Sequence, residues 1–298
     1  MWLTIALLSA IFFGIVHVMD SYCVDHVLEK PFIGMITSAI ASSVVFLAIP
    51  FTLPILVPIQ MPSIKIIVFC LSAGALIQIN QALYFKALSY SEAGTVAGYW
   101  NMVPAFLPIV SFFYFGEVLE DSNYIGLYLI VMASVGLCLL DNKTKGSFVA
   151  FLLILFGTSL QITALLLMKI IFDEIQYFVG FILITTGMIL MGLSPLMLQN
   201  FRRVFVSNLT KLAPAMHLFI IVEIVNLLAY GFLEKAIHIG GNPSLVAAID
   251  ATTSGFTFIF SIFFFFVSKK FGDIRSQENL GLKFINVGVM VMGVLMVS

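Results

Sequence analysis

Glu223, Asn226 and Tyr230 are spaced i, i+3 and i+7 within an apolar run, so on a helix they share one face. An ionisable group inside a membrane span costs roughly 2.5–3.5 kcal/mol on insertion scales and is a functional candidate by default. The stripe must therefore face a bundle interior, where Glu223 either meets a substrate or is clamped by a neighbouring helix. Asp250 heads a second stripe with Thr253, Ser254, Thr257 and Ser261. Such a face is either a water-lined path or a set of helix-to-helix hydrogen bonds. Asp20 has His17 one turn before it and Ser21 beside it. It suits a substrate or proton site, or an interfacial carboxylate next to Asp25 and His26.

Amides and aromatics accompany these acids. Gln78, Asn80, Gln81 and Tyr84 fall in one apolar run, and Tyr99, Trp100 and Asn101 precede Pro104 and Pro108 in another. Prolines break helix regularity where a moving segment would bend. Aromatic rings beside acids favour a cation. The candidate substrate-binding set is Glu223, Asn226, Tyr230, Tyr84, Gln78, Trp100, Asn101, Asp250 and His17. The candidate proton-coupling set is Glu223, Asp250 and Asp20. No Arg and no central Lys falls within the apolar runs; Lys169 and His217 lie near their ends, where such side chains reach the interface. An anion would want an Arg fork or a Lys. A cationic or zwitterionic amine suits the set better, and Glu223 would then exchange a proton for the cation.

The elements that must hold these groups are membrane helices. Of 298 residues, 61% are hydrophobic and only 10% charged, with a mean hydropathy of +1.12. Soluble proteins carry about 25% charged residues, so most of this surface must meet lipid. Net charge is −1, which lacks the basic footprint of a nucleic-acid binder. Segments long enough for a bilayer core of about 30 Å fall near 2–24, 32–57, 64–88, 92–116, 122–141, 147–170, 176–198, 212–236, 243–268 and 279–297. Backbone polar groups find no partners in lipid, so these must be helices. The first segment lacks a basic leader and a cleavage site and reads as a retained helix. Cys23, Cys70 and Cys138 show no metal or redox spacing and read as small buried hydrophobes.

The polar stretch from Asp141 to Ser147 divides the chain, and its halves echo each other. Phe13-Gly14 matches Phe156-Gly157, Asn80 and Tyr84 match Asn226 and Tyr230, and Lys86-Ala87-Leu88 parallels Lys235-Ala236-Ile237. The expected fold is an all-α membrane protein of about ten transmembrane helices. It forms two five-helix repeats, 1–141 and 142–298, inverted because five is odd. Odd-numbered loops carry eleven Lys and Arg residues, Lys283 among them, and even-numbered loops carry Lys65, Lys169 and Lys235. That asymmetry would place both termini outside the cell.

The passage Tyr84-Phe85-Lys86-Ala87-Leu88-Ser89-Tyr90-Ser91-Glu92-Ala93, followed by Pro104, Pro108 and Gly116-Glu117, resembles the drug/metabolite transporter superfamily in its ten-helix, EamA-type branch. The family pattern there is an Ala-Leu pair, a turn with a small residue, prolines in the fourth helix and a Gly-Glu at its end. The second repeat departs from it, with Gly240-Gly241-Asn242-Pro243 as its turn and no Gly-Glu after the ninth helix. The resemblance implies a transporter with both termini in the cytoplasm, opposite to the charge asymmetry, so orientation stays open. Glu117 corresponds to the Gly-Glu glutamate and reads as a structural interface residue.

The expected function is secondary active transport of a small organic solute, an amine or amino-acid-like metabolite, by alternating access, with proton exchange as the candidate coupling. A passive channel or facilitator is the alternative; rings of like groups or a long polar pore would mark it, whereas these stripes stop mid-span. An intramembrane enzyme is the third class, and no HExxH or Cys-His arrangement supports it. No cofactor or metal is expected. The partners are a small-molecule substrate and the lipid bilayer, one chain suffices, and the expected location is a bacterial cytoplasmic (inner) membrane.

Overall fold

The computed structural model describes residues 1–52, 61–91, 96, 99–100, 102–140, 147–240, 242–267 and 279–297. Every described element is helical. The first half contributes α1 (Trp2–His26), α2 (Pro31–Ser42), α3 (Ile64–Leu88), α4 (Met102–Phe115) and α5 (Asp121–Leu140). The second contributes α6 (Ser147–Glu174), α7 (Tyr177–Leu193), α8 (Gln199–Gly240), α9 (Pro243–Asp250), α10 (Thr253–Val267) and α11 (Leu280–Val297). Seven described helical segments are long and apolar enough to cross a membrane, and Pro31–Leu47 and Met102–Phe115 are shorter apolar helices. The chain is an all-α, multi-pass integral membrane protein.

Local chemistry sets several helix ends. Pro31 and Pro243 open α2 and α9, where a missing N–H costs nothing. Asn242 caps α9 by accepting from the Ser244 and Leu245 amides at 2.9 and 3.3 Å. Gly116 closes α4 at φ +67°, a left-handed conformation that a side chain would resist.

Two segments differ from the sequence expectation. The ninth segment is two helices meeting at Ala251-Thr252. The seventh connection, expected around Arg202-Arg203, is instead the first three turns of α8, whose 42 residues span about 63 Å at 1.5 Å per residue. Hydropathy locates lipid rather than helix, and this polar stretch keeps Phe205, Asn208 and Leu212 buried at helical spacing. Phe205 and Leu212 pack with Cys23 and Ile33, Phe32 meets Phe201 edge-on at 4.9 Å, and Lys211 pairs with Glu29. The Lys211 hydrogen bond and charge hold the Glu29 carboxyl below its usual range. Lys283, counted with the loops, lies inside α11 at 1% exposure. Its ammonium sits 5.4 Å from the Phe258 ring centroid.

The bundle interleaves the two halves. α1 packs on α8 and α10, α6 on α3 and α4, α3 on α7, and α5 on α11. The closest approaches use glycine. A Cβ on Gly74 in α3 would overlap the Ile184 carbonyl of α7, and one on Gly187 would lie 2.5 Å from the Leu71 carbonyl oxygen. Gly126 and Gly293 bring α5 and α11 together in the same way.

Candidate functional site

Between the halves lies a partly open cavity of about 70 Å³. α1 gives it Phe13, Val16, His17 and Asp20, one face at helical spacing. α3 adds Gln81 and Tyr84, and Trp100, Val103 and Pro104 close the side toward α4. From the second half come Gln161 and Leu165 of α6, Asn226, Tyr230 and Leu233 of α8, Ala247 and Asp250 of α9, and Thr253 at the start of α10. Among the described residues no Lys or Arg lines it.

One end is an acid held by an aromatic cluster. Asp20 is 4% exposed, and the Tyr84 hydroxyl lies within hydrogen-bonding reach of its carboxyl. The same hydroxyl is 2.7 Å from His17 Nδ1. Tyr84 and Trp100 meet edge to face at 5.6 Å, and His17 stands 5.1 Å from Tyr84, ring to ring. Phe13 and Tyr230 pack perpendicular at 5.0 Å further along α1.

The other acid sits where the ninth segment breaks. Around Ala251-Thr252 the ladder tightens to i→i−3 bonds, Thr252 N–H to Ile249 C=O at 3.0 Å and Gly255 N–H to Thr252 C=O at 2.9 Å. The Thr252 and Ser254 hydroxyls bond back to the Ile249 and Ala251 carbonyls at 2.7 and 3.1 Å, a habit that bends helices. Asp250, the last residue of α9, has an Oδ1 that is buried without a hydrogen-bond partner. Thr257 likewise bonds the Thr253 carbonyl, so Ser254 and Thr257 serve their own helix, and only Thr253 of that stripe reaches the cavity.

Of the sequence-derived set, His17, Asp20, Tyr84, Trp100, Asn226, Tyr230 and Asp250 converge on the cavity. Glu223 and Gln78, expected at the substrate, stand behind its wall instead. Glu223, 3% exposed, accepts from Ser38 and Ser42 of α2 at 2.7 Å each and from Asn226 at 3.0 Å. Two serines four apart on α2 satisfy both carboxylate oxygens and turn the group away. Gln81 donates to Ser38 at 3.0 Å, so two cavity-lining amides are held by the Glu223 network. Gln78 donates to the Met35 carbonyl at 3.1 Å. Asn101 lies outside the described residues.

The sequence reading missed Gln161, which accepts from Asn80 at 3.0 Å and lines the cavity. It also missed Glu234, 1% exposed with Oε2 unpartnered. Glu234 continues the Glu223–Asn226–Tyr230 face at the next i+4 position; the adjacent Lys235 made it look like a span end. Glu117 joins α4 to α6, accepting from Ser111 at 2.7 Å and pairing with Lys169. In a Glu117→Gln, Lys169→Met double-mutant cycle, the pair is expected to couple by about 1 kcal/mol, the upper end for partly exposed ions. Denaturation in micelles reads this, and additive single effects would mean that packing alone joins these helices.

The model of the EamA-like transporter family matches residues 1–139. No curated protein matches the chain. A crystal structure of a protein 12% identical to this chain superposes with a TM-score of 0.59, covering 97% of this chain and 96% of that one; at that identity the likeness speaks for the fold alone. That fold, with a largely apolar cavity carrying two acids between its helices, agrees with the family match. Residues 1–139, just under half of the chain, are thus similar to the EamA-like transporter family of the drug/metabolite transporter superfamily.

Proposed function

We propose that this membrane transporter carries a small cationic or zwitterionic amine through the central cavity by alternating access, in exchange for protons, across a bacterial cytoplasmic membrane. The observation that carries this reading is the cavity's lining, with Asp20 and Asp250, the four aromatic side chains Phe13, Tyr84, Trp100 and Tyr230, and no Lys or Arg among the described residues. A carboxylate enclosed in a bundle needs a proton or a cation beside it, because an unpaired buried charge is strongly unfavourable. Proton and amine therefore compete for the same oxygens, which is the requirement for exchange. Glu223 acts from behind the wall by orienting Asn226 and, through Ser38, Gln81, and is the third candidate carrier of the exchanged proton.

Two inverted repeats, 1–141 and 142–298, supply the moving parts in this reading. Ten spans follow if α9 and α10 count as one. Exchanging each helix with its counterpart five spans on turns the α1–α8 contact into α6–α3 and the α3–α7 contact into α8–α2, and maps α5–α11 onto itself; all of these contacts are present. The broken ninth span at the cavity is the kind of discontinuity that transporter sites employ.

Thermal stabilisation of the detergent-purified protein tests the substrate class, with amines, amino acids and organic anions at pH 6 and pH 8. Amines are expected to stabilise, and less so at the lower pH, where protons compete. Stabilisation by anions alone would overturn the amine assignment.

A further inference from the structure

The cavity has two acids, and they stand at opposite ends. Its α1 wall runs from Phe13 to Asp20, seven residues or about 10 Å of helix. Asp20 marks one end, on the same wall as His17 and opposite Tyr84. Asp250 marks the other, because Thr253, one turn beyond it, bonds the Ala10 carbonyl at 3.4 Å, one turn before Phe13. Between them the walls are Val16, Trp100, Leu165 and the Phe13–Tyr230 pair. His17 is the titratable base on this wall, and its Nδ1 is engaged with the Tyr84 hydroxyl. Tyr84 and Tyr230 are the other titratable groups lining the cavity, and Glu223 lies behind its wall with both carboxylate oxygens hydrogen-bonded by Ser38, Ser42 and Asn226.

We propose that the transported amine carries two cationic centres, one for each carboxylate, separated by an apolar chain. This rests on the amine reading above and sharpens it. With His17 neutral, charge balance in the cavity requires two positive charges, or one and a proton. A monoamine reaching Asp20 leaves Asp250 with its Oδ1 unmatched, whereas an α,ω-diamine supplies an ammonium at each end and methylenes along the apolar middle. A zwitterion places its own carboxylate toward one of the two acids and is disfavoured by like charge.

The test is a thermal-shift titration of the full chain in detergent at pH 8, where an imidazole of ordinary pKa, about 6.5, is neutral. The probes are n-butylamine, n-hexylamine and n-octylamine against 1,4-diaminobutane, 1,6-diaminohexane and 1,8-diaminooctane. The best-fitting diamine is expected to bind at least about tenfold more tightly than the monoamine of the same chain length, the effect of one added charge-assisted hydrogen bond. In Asp250→Asn that ratio should fall to near one. Equal affinity of diamines and monoamines in the wild type would overturn the two-cation inference and leave the amine reading standing. Stabilisation by organic anions with none by any amine would overturn both. Should Asp250→Asn fail to fold, the wild-type ratio decides alone.

Discussion

Asp20→Asn is expected to lower transport of a stabilising amine by roughly 10²–10³-fold while leaving the protein folded. The substitution keeps shape and a hydrogen-bond acceptor, and removes the acid that lines that end of the cavity. Removing one partner of a buried ion pair costs about 3–5 kcal/mol, and each 1.4 kcal/mol is about a factor of ten in binding. Uptake into proteoliposomes measures the loss, and a melting temperature within a few degrees of wild type shows that it is not unfolding. Asn at this position with full uptake would remove Asp20 from the binding machinery and shift the reading to Asp250.

Gly74→Leu is expected to have the largest effect on folding. A Cβ there meets the Ile184 carbonyl oxygen first, then the Met188 amide nitrogen at 2.7 Å and the Gly187 Cα at 2.9 Å. All three are backbone, so no side chain can swing aside. Overpacking a tight contact costs about 1–3 kcal/mol and occasionally more, and here relief requires α3 and α7 to separate. Because α3 also carries Gln81 and Tyr84, the cavity would lose a wall. The expected readout is aggregation on size-exclusion after detergent extraction. Gly281→Ala is the control, since its Cβ would meet nothing within 4 Å. A monodisperse Gly74→Leu protein melting like wild type would contradict the close approach of these helices.

The positions of the helices were legible because lipid imposes a length and a composition on whatever crosses it. The polar faces were legible too. The spacing of Asn226 and Tyr230, and of His17 and Asp20, identified residues that do share a cavity. Which member of a face meets the cavity was not legible, because it depends on the partner helix. Glu223 is turned aside by Ser38 and Ser42, some 180 positions earlier in the chain, and nothing in the local spacing of α8 reports that. The extension of α8 through Arg202 and Arg203 was hidden for a different reason. Those residues read as an interfacial turn by charge, yet a helix in water accepts them readily. The break after Asp250 had a signal in Ala251-Thr252-Thr253-Ser254, whose hydroxyls compete with the helix ladder, but its continuity with a long apolar run concealed it.

The interleaving of the halves also governs how the protein is made. Ser9 of α1 donates to the Ala229 carbonyl of α8, 220 residues later. At roughly 5–20 residues per second, about 10–40 s of synthesis separate the two. Throughout that interval the first helix, with Asp20 on one face, is in the membrane without its main neighbour. Nascent chains would therefore need shelter for α1 until α8 emerges, and synonymous codons that slow the ribosome between them would be expected to lower the yield of folded protein without altering a single residue.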